Sequence, residues 1–268
     1  MVYLPDDVTG GPVYQLILAG IAGSILGSFL NVVIYRLPRR ESILFPRSHC
    51  PSCNTPISFW DNIPIISYIL LKGKCRHCKV SIPWRYPFVE LLMMLMTITL
   101  YIINVSFAGF AADTVLAFIL LAVFAIDLGN MIIPNRLNLA GIVLAVPLTF
   151  RWGTYGFLRG FYGALIGVII LAIMMILGHF LYKRQGVGMG DIKLAIVIGL
   201  FLGPFWTPIV FIIAVFLGGM WGIINLVIGS IKFGQEVPFG PFISLGGFCV
   251  LFLKLPILTL IEHYLSLF

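Results

Sequence analysis

The 268-residue chain is 60% hydrophobic and only 10% charged, with a mean hydropathy of +1.07. This composition excludes a water-soluble globular domain and is typical of a polytopic membrane protein. The formal net charge of +7 favours contact with anionic lipid over nucleic-acid binding, because most of the basic residues fall in loops between apolar segments.

Eight apolar segments are candidate membrane-spanning helices, since a span needs roughly 20 apolar residues. They cover residues 13–35, 87–105, 108–127, 136–151, 157–182, 191–204, 206–230 and 241–262. The fourth and sixth segments are short, which is tolerated where a helix lines a water-filled site. The sequence therefore predicts an all-α polytopic membrane protein with about eight transmembrane helices.

The distribution of basic residues predicts the topology. No basic residue precedes the first apolar segment, so its start does not look like a cleavable signal peptide. With eight spans, 14 of the 17 basic residues lie on one side, including Lys183, Arg184 and Lys232. The other three are Arg151, Arg159 and Lys254. Because lysine and arginine are enriched in cytoplasmic loops, we expect the N-terminus outside and the loop after helix one in the cytoplasm.

Three regions follow from this topology. Residues 1–35 contain the first transmembrane helix, residues 36–86 form a polar cytoplasmic loop, and residues 87–268 contain the remaining helices. Within the loop, the apolar stretch 63–71 is too short to span, and it is expected against the bilayer surface or the helix bundle. No internal repeat is visible. Small-residue pairs at a spacing of four predict close helix approach, at Gly23/Gly27, Gly163/Gly167 and Gly218/Gly222.

Four cysteines in the loop form two C-x-x-C pairs, Cys50/Cys53 and Cys75/Cys78. Each pair places two thiolates on one turn, and two such turns make a tetrahedral four-sulfur zinc site. A reducing cytoplasm disfavours the alternative, two disulfides. We predict a structural Zn²⁺ ion, because four sulfurs leave no open coordination position. His49 and His77 adjoin the cysteines and could substitute for one as a ligand, but they are expected to be surface histidines. The lone Cys249 is expected to be a small buried residue.

Two aspartates are the candidate catalytic residues. Asp127 ends one apolar segment, and Asp191 begins another, directly after Gly188-Met189-Gly190. Ionisable residues beside hydrocarbon are costly and mark functional sites. Two carboxylates at one membrane face can act as an acid–base pair on a peptide bond. Gly188 and Gly190 give backbone freedom and let a substrate strand approach. The alternative is that both aspartates are ordinary helix caps.

Other polar residues have weaker assignments. Asn130, Asn135 and Asn138 are possible polar partners near Asp127. Asp113 is expected to cap a helix or lie at the outer interface. Glu90 is expected at the inner end of the second helix, where it can pair with Arg85 or contribute a polar contact to the loop.

An ordered set of motifs adds a family resemblance. The motifs are GSFLNVVIYRLP (27–38), HCPSC (49–53), DNIP (61–64), GKCRHC (73–78), RYPFVELL (85–92), Asp127, GMGDIKLA (188–195) and PFGPF (238–242). With these motifs the chain resembles the type IV prepilin peptidases, membrane aspartic proteases of the GxGD class. The resemblance covers nearly the whole chain.

This resemblance implies that Asp127 and Asp191 are the two catalytic aspartates. It implies prepilin and pseudopilin substrates of type IV pili or type II secretion, whose basic leader is cut after a glycine at the cytoplasmic face of the inner membrane. It also implies N-methylation of the new N-terminal residue with S-adenosylmethionine. The sequence identifies no residue that binds this cofactor, since no strand–glycine turn–helix motif is present. The oligomeric state is not indicated.

Two other classes of protein remain open on the residues alone. A transporter could use Asp127 and Asp191 to relay protons or bind cations, although internal repeats are common in transporters. A non-enzymatic scaffold of a secretion machine would explain the cysteines but not the aspartates.

Overall fold

The computed structural model describes residues 12–150, 153–182, 188–230 and 237–265. These residues form α-helices and one short 3-10 helix (Phe59–Asn62). The α-helices are α1 (Pro12–Arg36), α2 (Ile66–Leu70), α3 (Arg85–Ile103), α4 (Phe107–Asn130), α5 (Asn135–Thr149), α6 (Gly153–Tyr182), α7 (Met189–Ile228) and α8 (Gly240–Leu265). The predicted all-α architecture is confirmed. The predicted positions of Arg151, Lys183, Arg184 and Lys232 lie outside the described residues.

Five helices in the described ranges are long and apolar enough to cross a membrane. They are α1, α3, α4, α6 and α7. The helices α5 and α8 match the predicted fourth and eighth segments but are shorter over their described apolar parts. The protein is therefore a multi-pass membrane protein, with the four-cysteine loop between α1 and α3.

Helix α7 contains the predicted sixth and seventh spans, joined at Gly203. This glycine has φ 78° and ψ −179°, a conformation essentially limited to glycine. A Cβ atom placed on Gly167 of α6 would lie 3.0 Å from the Ala195 oxygen and 3.2 Å from Thr207 Cγ2. In a straight helix those two residues would be about 18 Å apart. The chain therefore reverses direction at Gly203, giving two antiparallel segments.

A cationic side chain lies at this reversal. Arg159 of α6 donates from Nη2 to the Leu202 carbonyl oxygen at 3.2 Å, which satisfies a helix-end carbonyl. A Cβ atom on Gly203 would meet Arg159 Nε at 2.7 Å. The turn therefore requires glycine for its backbone conformation and for the space that Arg159 occupies.

The described chain falls into two compact units, Met1–Phe110 and Ala111–Phe268. In the first unit α1 packs antiparallel on α3. A Cβ atom on Gly23 would lie 2.8 Å from Met94 Cα, and one on Gly27 would lie 2.6 Å from Glu90 Cα. The prediction of close approach at Gly23 and Gly27 is confirmed, because any larger residue would collide with the backbone of α3.

In the second unit α6 packs on the first segment of α7 with equal tightness. A Cβ atom on Gly163 would lie 2.3 Å from the Gly199 oxygen, and Gly167 makes the contact with Ala195 already described. The prediction of a close helix approach at Gly218 and Gly222 is wrong. Among the described residues, the ring of Phe242 is nearest to a Cβ atom on Gly218, and none lies within 4 Å of a Cβ atom on Gly222.

Candidate active site and metal centre

Asp127 lies in the last turn of α4 and is buried, with 4% of its surface exposed. Its Oδ2 atom accepts a hydrogen bond from the backbone N–H of Gly240 at 2.9 Å. Gly240 is the first residue of α8, and the N–H groups of a first helical turn have no partner within their own helix. The carboxylate therefore replaces lost hydration with a donor that α8 supplies.

Asp191 lies in the first turn of α7 and is also buried, with 8% exposure. Its Oδ2 atom accepts a hydrogen bond from the Gly188 N–H at 2.8 Å. This contact is half of a capping box, so Asp191 does fulfil the capping role that was the alternative to catalysis. Its capping bond uses only one of its two oxygens, which leaves the other side of the carboxylate for chemistry.

Contacts made by the connection between α4 and α5, and by α5 itself, link the helix ends that carry the two aspartates. Gly190 packs against Ile133, whose Cβ lies 3.0 Å from the position of a Gly190 Cβ atom. Asn138, with 1% exposure, donates from Nδ2 to the Gly190 oxygen at 3.2 Å. The glycine segment before Asp191 is thus fixed to the helix that follows Asp127.

The other two asparagines differ in their contacts. Asn135 Oδ1 accepts a hydrogen bond from Lys193 Nζ at 2.7 Å, which adds a second link between α5 and α7. Asn130 Nδ2 instead donates to the Ile126 oxygen of its own helix at 3.1 Å. Asn135 and Asn138 therefore hold the site together, whereas Asn130 does not.

The two glycines before Asp191 serve for space more than for unusual torsion angles. Gly188 has φ −82° and ψ 155°, an extended conformation that other residues adopt. A Cβ atom there would lie 3.3 Å from Asp191 Oδ2. Gly190 is already helical, and its constraint is the contact with Ile133. The expectation of turns forbidden to other residues is wrong for Gly188.

Gly240 is a site residue that the sequence reasoning missed. A Cβ atom on it would lie 2.6 Å from Asp127 Oδ2, closer than real Cβ contacts. The available signal was the segment Pro238-Phe239-Gly240-Pro241 at the start of a helix. Proline in a first helical turn leaves few free N–H groups, so the Gly240 N–H is a natural donor to a neighbouring acid.

The four cysteines come together as the spacing predicts. The Sγ atoms of Cys50, Cys53, Cys75 and Cys78 all lie within 4.8 Å of one another. Cys50 and Cys78 Sγ are 3.8 Å apart. Tetrahedral zinc with bonds of about 2.3 Å separates its sulfur ligands by roughly 3.8 Å. The sulfur positions fit one tetrahedral ion, and His49 and His77 are not part of the cluster.

Two equivalent turns hold these sulfurs. In the first, Cys50 N–H donates to the Thr55 oxygen at 3.0 Å and Asn54 N–H donates to the Cys50 oxygen at 2.8 Å. In the second, Cys75 N–H donates to the Val80 oxygen at 2.9 Å and Lys79 N–H donates to the Cys75 oxygen at 3.1 Å. The residues after the second cysteines, Asn54 and Lys79, both have positive φ. The two C-x-x-C pairs thus form the two similar turns that their spacing predicts.

The thiols differ in acidity. The Thr55 hydroxyl and backbone N–H lower the pKa of Cys53 from its ordinary value of 9.0 to about 6. The N–H groups of Cys78 and His77 lower the pKa of Cys75. The Val80 N–H acts to lower the pKa of Cys78, but desolvation and hydrogen bonds with the other thiols outweigh it and raise this pKa to about 11. Without metal, the cluster therefore holds both thiolates and thiols.

Two polar contacts organise the rest of the loop. Arg76 donates from Nη2 to Asp61 Oδ1 at 2.6 Å and from Nε to Oδ2 at 2.8 Å, which holds the pKa of Asp61 below its ordinary value. Glu90 of α3 accepts a hydrogen bond from the Ile65 N–H at 2.8 Å. Of the two expectations for Glu90, the polar contact with the loop is confirmed and the pairing with Arg85 is wrong, because the buried carboxylate faces the loop and not its own helix start.

Comparison with known proteins places the chain in a family. Residues 21–104 match the bacterial peptidase A24 N-terminal domain, and residues 114–223 match the type IV leader peptidase family. A prepilin leader peptidase/N-methyltransferase of Burkholderia pseudomallei (strain 1026b) is 34% identical, over 92% of this chain and 88% of the relative. The chain belongs to the type IV leader peptidase family.

Further relatives agree across the same length. A prepilin leader peptidase/N-methyltransferase of Aeromonas salmonicida (strain A449) is 31% identical over 94% of this chain and 95% of the relative. A type 4 prepilin-like proteins leader peptide-processing enzyme of Escherichia coli O78:H11 is 32% identical over 91% and 96%. No solved structure matches the chain significantly. In this leader peptidase family member, the 114–223 match contains both Asp127 and Asp191 but not Gly240.

Proposed function

We propose that this chain is a membrane aspartic endopeptidase that removes the basic leader from type IV prepilins and pseudopilins. The observation that carries the proposal is the pairing of Asp127 and Asp191. Both carboxylates are buried at helix ends, each accepts a backbone N–H, and Gly190 beside Asp191 contacts the segment that follows Asp127. Neither a simple cap nor a scaffold needs two acids in this arrangement.

The proposed reaction needs no covalent intermediate. One carboxylate, ionised, takes a proton from a water molecule while the water oxygen attacks the carbonyl carbon of the scissile peptide bond. The other carboxyl group, protonated, donates its proton to the carbonyl oxygen. The tetrahedral intermediate then collapses and the C–N bond breaks. The leaving nitrogen takes the proton that the first carboxylate removed from water, and the second carboxylate regains its proton from a hydroxyl group of the intermediate. Two like charges at one site favour sharing of a single proton, so the pair acts as a unit.

The surroundings of Asp191 support access for a peptide. Gly188 and Met189 are exposed, while Asp191 itself is buried. A substrate strand can therefore approach the glycine segment without displacing a side chain at Gly188. The hydrogen bond from Gly188 to Asp191 and that from Asn138 to Gly190 fix the segment beforehand, which lowers the cost of ordering it during catalysis.

The loop supports a second proposed activity, N-methylation of the new N-terminal residue, as the names of the relatives indicate for those proteins. In this activity the free amine would receive a methyl group from S-adenosylmethionine. Cys50, Cys53, Cys75 and Cys78 would hold a structural Zn²⁺ ion, whose binding free energy would stabilise a loop with few buried residues.

The proposed location is the bacterial inner membrane, with the active site facing the cytoplasm. The support is the excess of lysine and arginine in the loops on the Asp127 side. The predicted division into residues 1–35, 36–86 and 87–268 assigns the methyltransferase part to the loop and the peptidase part to the later helices.

Single substitutions test the peptidase. Asp127→Asn and Asp191→Asn each keep the size of the side chain, so the purified variants should fold but fail to cleave a purified type IV prepilin in detergent. Glu41→Gln is the matched control, because Glu41 is exposed in the loop and its loss of charge should leave cleavage intact. Cleavage at the wild-type rate by either aspartate variant would refute the proposed pair. The mass of the processed pilin reports methylation in the same samples, as one added methyl group that depends on S-adenosylmethionine.

A further inference from the structure

An ion pair joins α4 to α8, far along both helices from Asp127. Lys254 Nζ donates to Asp113 Oδ2 at 2.5 Å. The Asp113 side chain is 6% exposed and that of Lys254 is 19% exposed. Charged groups at this depth in membrane helices are costly unless they are paired. Asp113 is expected from the sequence to be a cap or an interface residue. Neither role requires its ion pair with Lys254 of another helix.

The ion pair and the Asp127–Gly240 contact are separated by equal intervals along the two helices. Asp113 and Asp127 are 14 positions apart on α4, and Gly240 and Lys254 are 14 positions apart on α8. With a rise of about 1.5 Å per residue, both intervals measure roughly 21 Å. The helices run antiparallel, and the pairs Asp113–Lys254 and Asp127–Gly240 connect them at the two ends of these equal intervals.

A third contact lies midway. A Cβ atom on Gly247 would lie 2.7 Å from Leu120 Cδ1, so the Leu120 side chain occupies the space that a larger residue would need. Leu120 lies seven positions from both Asp113 and Asp127, and Gly247 lies seven positions from both Gly240 and Lys254. The three contacts lie at matching intervals on both helices, so together they define one axial position of α8 relative to α4.

We propose that Asp113 and Lys254 are a positioning pair that sets the axial position of α8, so that the Gly240 N–H reaches Asp127. The proposal rests on the catalytic role proposed above for Asp127. An N–H···O bond needs a separation of about 2.7–3.2 Å. A slip of α8 by one residue moves Gly240 by about 1.5 Å and turns it by about 100°, which removes the bond.

The ion pair is suited to this role because it is specific, whereas apolar contacts allow sliding. Gly246 of α8 packs closely on α7, with its Cβ position 2.4 Å from the Val210 oxygen. That contact fixes how near α8 comes to α7. The charges of Asp113 and Lys254 add an attraction at one position along α4, with no equivalent among neighbouring leucines and isoleucines.

The test is a double-mutant cycle on prepilin cleavage by the full-length enzyme in detergent. Lys254→Met should lower kcat at least tenfold and change KM less than threefold, because substrate does not touch Lys254 in this proposal. Lys254→Arg should recover activity to within threefold of wild type. In a Gly240→Ala background, where the Asp127 contact is already disturbed, Lys254→Met should cost less than threefold more.

If the fold reduction in kcat of the double variant equals the product of the two single reductions, the proposal is overturned. An ion pair that only stabilises the fold would give that result, because its loss would not act through the Asp127–Gly240 contact. A wild-type kcat for Lys254→Met would also overturn it. If Lys254→Met does not fold, the exchanged double variant Asp113→Lys/Lys254→Asp decides: recovery of at least a third of wild-type kcat supports the proposal, and a folded, inactive protein refutes it.

Cleavage by Asp127→Asn is measured in parallel. Activity there refutes the peptidase assignment, whereas its loss together with a normal Lys254→Met refutes the positioning pair alone.

Discussion

Asp127 and Gly240 are 113 residues apart in the chain, yet the Gly240 N–H donates to the Asp127 carboxylate at 2.9 Å. This bond makes the start of α8 part of the candidate active site. It also explains why the PFGPF segment belongs with the two aspartates. A glycine there leaves the carboxylate room to lie directly against the backbone of another helix.

Gly240→Ala should reduce prepilin cleavage at least tenfold. The added methyl group would lie 2.6 Å from Asp127 Oδ2, so the carboxylate must rotate away while the N–H donor is retained. Cleavage rates of purified enzyme in detergent, measured with thermal unfolding of the same sample, check this expectation.

Gly219→Ala is the matched control for that substitution. Gly219 lies within α7, and nothing is found within 4 Å of a Cβ atom placed there. This variant should cleave at the wild-type rate. Equal activities of Gly240→Ala and Gly219→Ala would show that the Asp127 carboxylate does not need its observed position.

Asn138→Ala should lower kcat roughly tenfold and leave the fold intact. It removes the hydrogen bond to the Gly190 oxygen, so the segment before Asp191 loses its link to α5. Asn225→Ala is the control, since the Asn225 side chain donates to the Trp221 oxygen of its own helix. If Asn138→Ala leaves kcat unchanged, the glycine segment does not depend on α5.

Gly199→Ala should destabilise the second compact unit. A Cβ atom on Gly199 would lie 2.3 Å from the Ala164 nitrogen, and backbone atoms cannot move aside as a side chain can. Overpacking of this kind costs about 1–3 kcal/mol, and thermal unfolding in detergent would show a lower Tm. Gly222→Ala, with no neighbour within 4 Å, should unfold like wild type. Identical Tm values for the two variants would contradict the tight crossing of α6 and α7.

In metal-stripped protein, iodoacetamide at pH 7 should alkylate Cys53 at least tenfold faster than Cys78. The thiolate is the reactive form, and the pKa values of about 6 and about 11 leave Cys53 ionised and Cys78 protonated at that pH. Because the pKa of Cys53 is lowered, its reactivity is present above pH 6 and is lost as the pH falls below it. Peptide mass spectrometry measures both rates.

Thr55→Val tests the cause of that difference. Loss of the Thr55 hydroxyl should raise the pKa of Cys53 and slow its alkylation at pH 7. Protein purified without chelator should contain about one zinc per chain and resist labelling at all four cysteines. Rapid labelling of Cys53 in zinc-loaded protein would speak against a four-sulfur site.

The helical class, the cysteine loop and the candidate chemical groups follow from the amino-acid sequence alone. Apolar segment length predicts spans because backbone groups in lipid must bond within their own helix. The C-x-x-C spacing places two sulfurs on one turn, so Cys50, Cys53, Cys75 and Cys78 were recognisable from local geometry. Asp127 and Asp191 were recognisable because ionisable groups are rare beside hydrocarbon.

Which of these groups meet depends on how the helices pack. The reversal at Gly203, the bond from Gly240 to Asp127 and the register of α4 with α8 all depend on contacts between distant segments. Helical periodicity tells which positions share a face, but it does not tell which neighbour packs there. In an apolar chain almost every face is acceptable to lipid, so pairing of helices is set by glycine-sized gaps and by a few polar contacts. The role of such a glycine or polar side chain can be assigned only once the helix that packs against it is known.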